Sequence, residues 1–258
     1  MWVHNLDPIF VALGPLEIRY YGLVYVVGAL CAYWVLERAR KQGQLSLSKD
    51  SISDLVGWLV LGVLIGSRVF YVLFYNLSFY VSQPLKVFAV WEGGMSFHGG
   101  FVGITVAAYL FSRRRKISFF QVADLLSAPL MLALALGRIA NFINGELFGK
   151  VTNVSWCVVF PPEAVCRHPY QLYDGLKRFA IAGWLLYLGR EKRYDGFVFW
   201  NLVFFEGLGR FALDFLKEEF TVLLLTPGQW MSIVMIIVAM YFLQKCKKFK
   251  NTLDKTAS

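Results

Sequence analysis

Charge is scarce in this chain. Only 17% of its 258 residues are Asp, Glu, Lys or Arg, against 57% that are hydrophobic, and the mean hydropathy is +0.53. Soluble domains carry about a quarter charged residues, so a fold solvated by water alone is excluded and lipid must cover much of the surface. Cysteine is scarce too. Of the four, Cys31 falls in an apolar run and Cys246 near the C-terminus, and no CxxC spacing occurs. That speaks against a thiolate metal site. GxSxG, Walker and HExxH motifs are missing, which argues against a serine lipase, a nucleotide enzyme and a zincin. Residues 1–19 hold Asp7, Glu17 and Arg19 and lack an apolar h-region. No cleavable signal peptide is therefore expected, and the first span is expected to act as the targeting element. No internal repeat, low-complexity tract or linker divides the sequence. One transmembrane domain over 1–258 is expected, with 138–174 as a small outward-facing head segment.

What is present is a series of apolar runs near the ~20 residues needed to cross a bilayer. They predict an all-α, polytopic helical membrane bundle of about seven spans, at about 20–36, 55–75, 97–111, 119–137, 175–189, 197–216 and 228–243. The third contains His98, the fifth opens with Lys177 and Arg178, and the sixth contains three charges. The net charge of +9 would suggest nucleic acid if it were clustered, but it falls in short loops and reads as topology instead. The segments 38–49, 113–116, 190–193 and 245–255 hold sixteen Lys and Arg, against eight on the alternate side. The positive-inside rule then predicts a cytoplasmic C-terminus and an outside N-terminus.

With that orientation, several polar groups fall at one depth. Arg68 and Arg210 each follow the inner end of their span by 13 residues, about 20 Å of helix, and so lie in the outer half. His98, Gly99 and Gly100 open the third span from outside, Tyr20 and Tyr21 open the first, and GRIANFINGELFG (137–149) follows the outward end of the fourth. An arginine among amides at such a boundary must be paired or bind an anion. Glu206, Arg210 and Asp214 are spaced by four and share one helix ridge. Two acids then flank one cation, so either Glu206 is protonated or a second cation such as Arg68 or Arg138 reaches it. Arg138 and Asn141 share a face if their turn is helical. Gly62 and Gly66 form GxxxG and read as a packing face. Asp124, at the inner end of the fourth span, reads as a helix N-terminal acid. Cys157 and Cys166 share the outward segment, where an oxidising compartment would allow a disulfide.

Outer-half arginines with hydroxyls and amides around them fit recognition of a phosphate that arrives within the membrane, as on a phospholipid. At this point the motifs YYGLVY, GSRVFYVLFYN, WEGGMSFHGG, GRIANFINGELFG, RHPYQLYD and GRFALDF become specific. Nearly end to end, the sequence resembles prolipoprotein diacylglyceryl transferase, a bacterial inner-membrane enzyme family. The resemblance implies transfer of the diacylglyceryl group of phosphatidylglycerol to the lipobox cysteine thiol of a signal-peptide-bearing prolipoprotein. A thioether forms and glycerol phosphate leaves, without metal or cofactor. It also implies a multi-pass protein whose site faces the outer leaflet.

Carried onto this sequence, the resemblance makes Arg138 and Arg210 the phosphate ligands and catalytic residues. Asn141, Glu146 and Gly149 belong to the signature's functional core, and Tyr21 and His98 line the site. His98 is the preferred base, since an unperturbed imidazole titrates near neutrality. Arg68 and His168 are second-tier, and Asp214 is expected beside Arg210. The family usually has Glu where Asp214 stands and Tyr where Glu206 stands, so Glu206 is expected to take part in orienting Arg210. The outward segment is shorter than in some relatives. A non-enzymatic transporter of an anionic lipid or solute is the competing class, disfavoured by the lack of two similar inverted halves and by an odd span count. A membrane scaffold subunit would not need the polar convergence.

Overall fold

A computed structural model describes residues 2–14, 16–191 and 193–256, with Leu16, Glu92 and residues 246–256 as backbone alone. Lys192 lies outside the described residues, as do the side chains of Cys246, Lys247, Lys248, Lys250 and Lys255. Among the described residues there are eight α-helices: α1 (Tyr20–Lys41), α2 (Lys49–Phe74), α3 (Leu77–Ser82), α4 (Phe97–Arg115), α5 (Phe119–Ile143), α6 (Tyr170–Leu188), α7 (Phe197–Leu213) and α8 (Pro227–Thr256). Each of the seven expected spans coincides with one of the seven long helices. Four of these, α1, α2, α5 and the Pro227–Lys245 part of α8, are long and apolar enough to cross a membrane. The protein is a helical membrane protein.

The boundaries move for local reasons. Helix α2 starts six residues before the expected span because Ser48 caps it, its hydroxyl accepting from Ser51 N–H at 3.1 Å. Helix α5 runs on to Ile143, about 37 Å in all, so Arg138 and Asn141 are helical. Small strands were not expected. β1 (Trp2–Val3) pairs in parallel with β4 (Val158–Val159), which pairs antiparallel with β5 (Cys166–Arg167), and β2 (Ile9–Leu13) forms a hairpin with β3 (Leu16–Arg19). These pieces are too short and irregular for the period-2 pattern to mark them in sequence.

The chain forms two compact units, Met1–Cys31 with Asp124–Ser258, and Ala32–Ala123. The division falls within α1 and α5. In the first unit, Ala128 and Met131 of α5, Ile181, Ala182, Leu185 and Leu188 of α6, and Val198 and Leu202 of α7 form one buried apolar cluster. Asp124 is not merely an acid at the start of its own span. It accepts from Gly196 N–H at 2.8 Å and Phe199 N–H at 2.7 Å, capping α7, whose N-cap Gly196 offers no side chain. Cys157 and Cys166 are joined as a disulfide, with Cα atoms 5.5 Å apart, Cys157 preceding Val158 and Cys166 pairing with Val159 in the β4–β5 register.

In the second unit, α2 and α4 pack through glycines. A Cβ on Gly62 would meet Gly103 O at 2.6 Å and Ala107 Cβ at 2.7 Å, and one on Gly66 or Gly99 would run into the facing backbone. The GxxxG reading of Gly62 and Gly66 as a packing face therefore holds, with Gly99 and Gly103 as its complement.

Candidate active site

The signature in the first unit folds into a continuous polar network. Arg138 Nε donates to Asp174 Oδ2 at 2.6 Å and its Nη1 donates to Asn141 Oδ1 at 3.1 Å, one helical turn further on. The Asn141 amide donates to Glu146 Oε1 at 3.0 Å and to the Tyr21 hydroxyl, which itself donates to Glu146. Gln171 holds the Glu146 carbonyl at 2.5 Å. Four predicted site residues, Tyr21, Arg138, Asn141 and Glu146, are thus brought together by α1, α5 and the loop that follows α5. The chain can turn back there because Gly145 adopts φ +68°.

A second arginine also stands beside a buried aspartate. Arg210 Nε lies 3.5 Å from Asp214 Oδ2. Asp214 is 1% exposed, accepts from Tyr170 OH at 2.8 Å and lies 3.4 Å from Thr226 Oγ1. Gly228 makes room, since a Cβ there would collide with the Asp214 carboxylate and approach Arg210 Nη2 to 3.1 Å. Gly149 joins the signature to this corner. Its N–H donates to His168 O at 2.9 Å, Lys150 N–H donates to Leu216 O at 2.8 Å, and a Gly149 Cβ would come within 2.6 Å of Leu216 O and 2.9 Å of His168 Cβ. Its role in the structure is a close backbone approach. His168 Nδ1 lies 3.3 Å from Tyr173 OH.

The expected ladder on α7 is only half formed. Arg210 pairs with Asp214, but Glu206 is committed to α6, where Arg178 Nη2 lies 2.8 Å from Oε1 and Lys177 Nζ 2.9 Å from Oε2. The second cation therefore does come from a neighbouring helix, yet it is neither Arg68 nor Arg138, and Glu206 takes no part in orienting Arg210. Lys177 also pairs with Asp174 at 2.7 Å, and Arg178 lies 3.4 Å from it. The Lys177 ammonium and Glu206 Oε2 make no well-aligned hydrogen bond. At 2.9 Å in a buried setting, their charge attraction holds them regardless. Sequence reasoning missed Asp174, Lys177 and Arg178. Lys177 and Arg178 stood at the head of the fifth expected span with Asp174 just before it, and their i, i+3 and i, i+4 spacing was a signal of mutual pairing.

Arg68 and His98 belong to the second unit. Arg68 is 4% exposed and spends all its donors on backbone: Nε on Val87 O at 2.8 Å, Nη2 on Lys86 O at 2.6 Å and Ala89 O at 3.1 Å, and Nη1 on Gly94 O at 3.1 Å and on Gly93 O. Its guanidinium also lies 5.1 Å from the Tyr80 ring centroid. No N–H is left for a phosphate, so the expectation that Arg68 binds substrate gives way to a structural task, pinning the 86–94 loop that leads into α4. Gly93 and Gly94 bend that loop at φ +85° and +76°. His98, on the first turn of α4, is exposed and flanked by the Phe70 and Phe97 rings at 6.3 and 6.0 Å, with no hydrogen-bond partner among the described residues.

Outside the helices, Arg167 ties the head segment together. It reaches Glu163 and Glu218, each at 2.5 Å, and Gly149 O at 3.2 Å, over the Phe148 ring. Glu218 first and Glu163 after it hold its guanidinium in the charged form.

Residues 8–244 match the family model described as prolipoprotein diacylglyceryl transferase. Curated relatives carry the name phosphatidylglycerol–prolipoprotein diacylglyceryl transferase. One from Geobacter sulfurreducens is 46% identical over 216 residues, covering 83% of each chain. One from Pseudomonas savastanoi pv. phaseolicola is 40% identical over 269 aligned residues, covering 98% of each. A third, from Ehrlichia ruminantium, is 37% identical over 96% of this chain and 99% of its own.

Proposed function

Because the chain belongs to the prolipoprotein diacylglyceryl transferase family, we propose the following assignment of its residues to that family's reaction. The protein transfers the diacylglyceryl group of phosphatidylglycerol to a prolipoprotein. The thiol of the acceptor cysteine loses its proton, its sulfur bonds to the glycerol carbon of the diacylglyceryl group, and the carbon–oxygen bond to phosphate breaks. Glycerol phosphate leaves with the electron pair.

One observation supports the phosphate site. Arg138 Nε is hydrogen-bonded to the buried Asp174 and Arg210 Nε lies 3.5 Å from the buried Asp214 as an ion pair, while Nη2 of Arg138 and both Nη groups of Arg210 have no partner among the described residues. A guanidinium held this way presents its free edge in a fixed direction, the arrangement that suits a phosphate. Asn141, Glu146 and Tyr21 set Arg138 from its other side, Gly149 holds the signature against the Arg210 corner, and Asp214 acts through Arg210. As charge builds on the departing phosphate, the two cations stabilise it.

His98 takes the thiol proton. A cysteine thiol with pKa ~8.5 is mostly protonated at neutral pH, and an unpaired imidazole is suited to accept that proton. Located in the bacterial inner membrane, the chain has its N-terminus outside, its C-terminus in the cytoplasm and its site toward the outer leaflet. The asymmetry of Lys and Arg supports that orientation. Three of the eight outer-side cations, Arg138, Lys177 and Arg178, are ion-paired on helices and are not loop charges at all.

The test of the reaction is incubation of the purified protein with phosphatidylglycerol and a lipobox peptide. Stoichiometric glycerol phosphate release, with a diacylglyceryl mass gain on the peptide, supports the reading, and neither product from a folded preparation refutes it. His98→Gln should lower the neutral-pH rate by ~10²-fold or more, with part recovered as pH rises and solvent generates thiolate. Wild-type turnover with an unchanged pH profile would remove His98 from the base role.

A further inference from the structure

Arg138 sits on α5 and Arg210 on α7, yet both are referenced to one face of α6. Asp174 accepts from Arg138 Nε at 2.6 Å, and Tyr170, one turn earlier on the same face, donates at 2.8 Å to Asp214, the partner of Arg210. We infer that Tyr170 and Asp174 are positioning residues that fix the two arginines relative to each other, so that both guanidinium edges meet one phosphate. The inference rests on the phosphate-binding role proposed for Arg138 and Arg210.

The surroundings are built to hold that face still. Asp174 is 2% exposed, and Lys177 and Arg178, three and four residues on, lie 2.7 and 3.4 Å from it. Lys177 is in turn held by Glu206 of α7. Gly209, on α7 beside Arg210, leaves the space that the Lys177 stem fills, since a Cβ there would strike Lys177 Cδ. Gln171, also on the first turn of α6, is fully buried and holds the Glu146 carbonyl at 2.5 Å. The opening turns of α6 therefore touch Arg138, Glu146, Glu206 and Asp214. A buried carboxylate under Nε uses one guanidinium edge and fixes the plane of the other, which a neutral pocket would not do.

Neither residue touches substrate on this account, so the effect should fall on the donor and spare the acceptor. The experiment measures kcat and separate KM values for phosphatidylglycerol and for a lipobox peptide in purified wild type, Tyr170→Phe, Asp174→Ala and Asp174→Ala/Lys177→Met, with a melting curve for each. Tyr170→Phe removes one hydroxyl and keeps the ring. It should raise the donor KM by ~10-fold, with Asp174→Ala at or above that, because small misplacements of binding groups are expensive. The peptide KM should stay at the wild-type value. Asp174→Ala/Lys177→Met removes one charge of each sign and should melt near wild type while keeping the donor defect.

A donor KM that returns to wild type in the double variant would mean that Asp174 serves charge balance alone, and the inference falls. It falls equally if Tyr170→Phe leaves the donor KM unchanged, or if both KM values rise together with a drop in melting temperature. If wild type itself releases no glycerol phosphate, the transferase reading fails first and takes the inference with it. An active wild type with indifferent variants overturns only the inference.

Discussion

Arg138→Lys should transfer no better than Arg138→Ala, with both falling ~10²-fold or more below wild type, and the same should hold at Arg210. The reason lies in how each arginine is held. Its Nε faces a buried carboxylate, hydrogen-bonded to Asp174 in Arg138 and ion-paired with Asp214 at 3.5 Å in Arg210, which leaves the far side of the guanidinium for the proposed phosphate. A lysine has one nitrogen for both tasks. Placed at 138, its ammonium would stay with Asp174, already the centre of Lys177 and Arg178, and leave the phosphate without a partner. At 210 it would likewise be drawn to Asp214, whose other acceptor positions are filled by Tyr170 and Thr226. Charge would be conserved and function lost. Glycerol phosphate release per folded protein, with insertion checked by a melting curve, reads the effect. Full activity of Arg210→Lys would sink the forked contact there, and an Arg138→Lys variant that outperforms Arg138→Ala by a wide margin would do the same for Arg138.

The division between what sequence reveals and what it conceals follows a physical line. Long apolar runs report themselves, so the seven long helices and the membrane setting were legible from residue types alone. So was the cluster of Tyr21, Arg138, Asn141 and Glu146, because a local motif places three of these within nine residues of one another. Pairing across elements was not legible. The i, i+4 spacing of Glu206, Arg210 and Asp214 is real, but spacing on one helix says only which side chains can meet, and Glu206 finds a better partner on α6. Arg68 shows the converse. Its place in an apolar run marks it as a cation in need of a partner, and the partner is a set of loop carbonyls 18 to 26 residues further along the chain. Backbone acceptors carry no sequence signature, so a structural arginine and a ligand-binding one look the same until the loop is folded. The strands β1, β4 and β5 are concealed because two-residue pairings depend on the disulfide and on Arg167 more than on any pattern of their own.

The largest stability effect should come from the pair that sequence reading assigned to the wrong partner. Around Asp174 and Glu206 stand three cations, Arg138, Lys177 and Arg178, so the group carries one net positive charge and has no negative charge to spare in a buried setting. Glu206→Gln would leave two uncompensated cations, whereas Arg178→Met would leave two cations for two acids, with Lys177 still beside Glu206 and Arg138 beside Asp174. Breaking a buried pair from one side costs about 3–5 kcal/mol, chiefly because the remaining charge has lost its counterion away from water. Replacing both partners at once is a different matter. Arg178→Met/Glu206→Gln keeps the net charge of the group unchanged and swaps an ion pair for apolar and amide contacts, which is often close to neutral. Unfolding of the detergent-solubilised protein should therefore show Glu206→Gln far below wild type, Arg178→Met lowered less, and the double recovering most of the Glu206→Gln loss, a coupling of about 1–3 kcal/mol. Combining Glu206→Gln with Asp214→Asn should instead be additive, since Asp214 is bound to Arg210, Tyr170 and Thr226 and shares no partner with Glu206. Strict additivity for Arg178 and Glu206 together with strong coupling between Glu206 and Asp214 would restore the single-ridge ladder and overturn the pairing between α6 and α7.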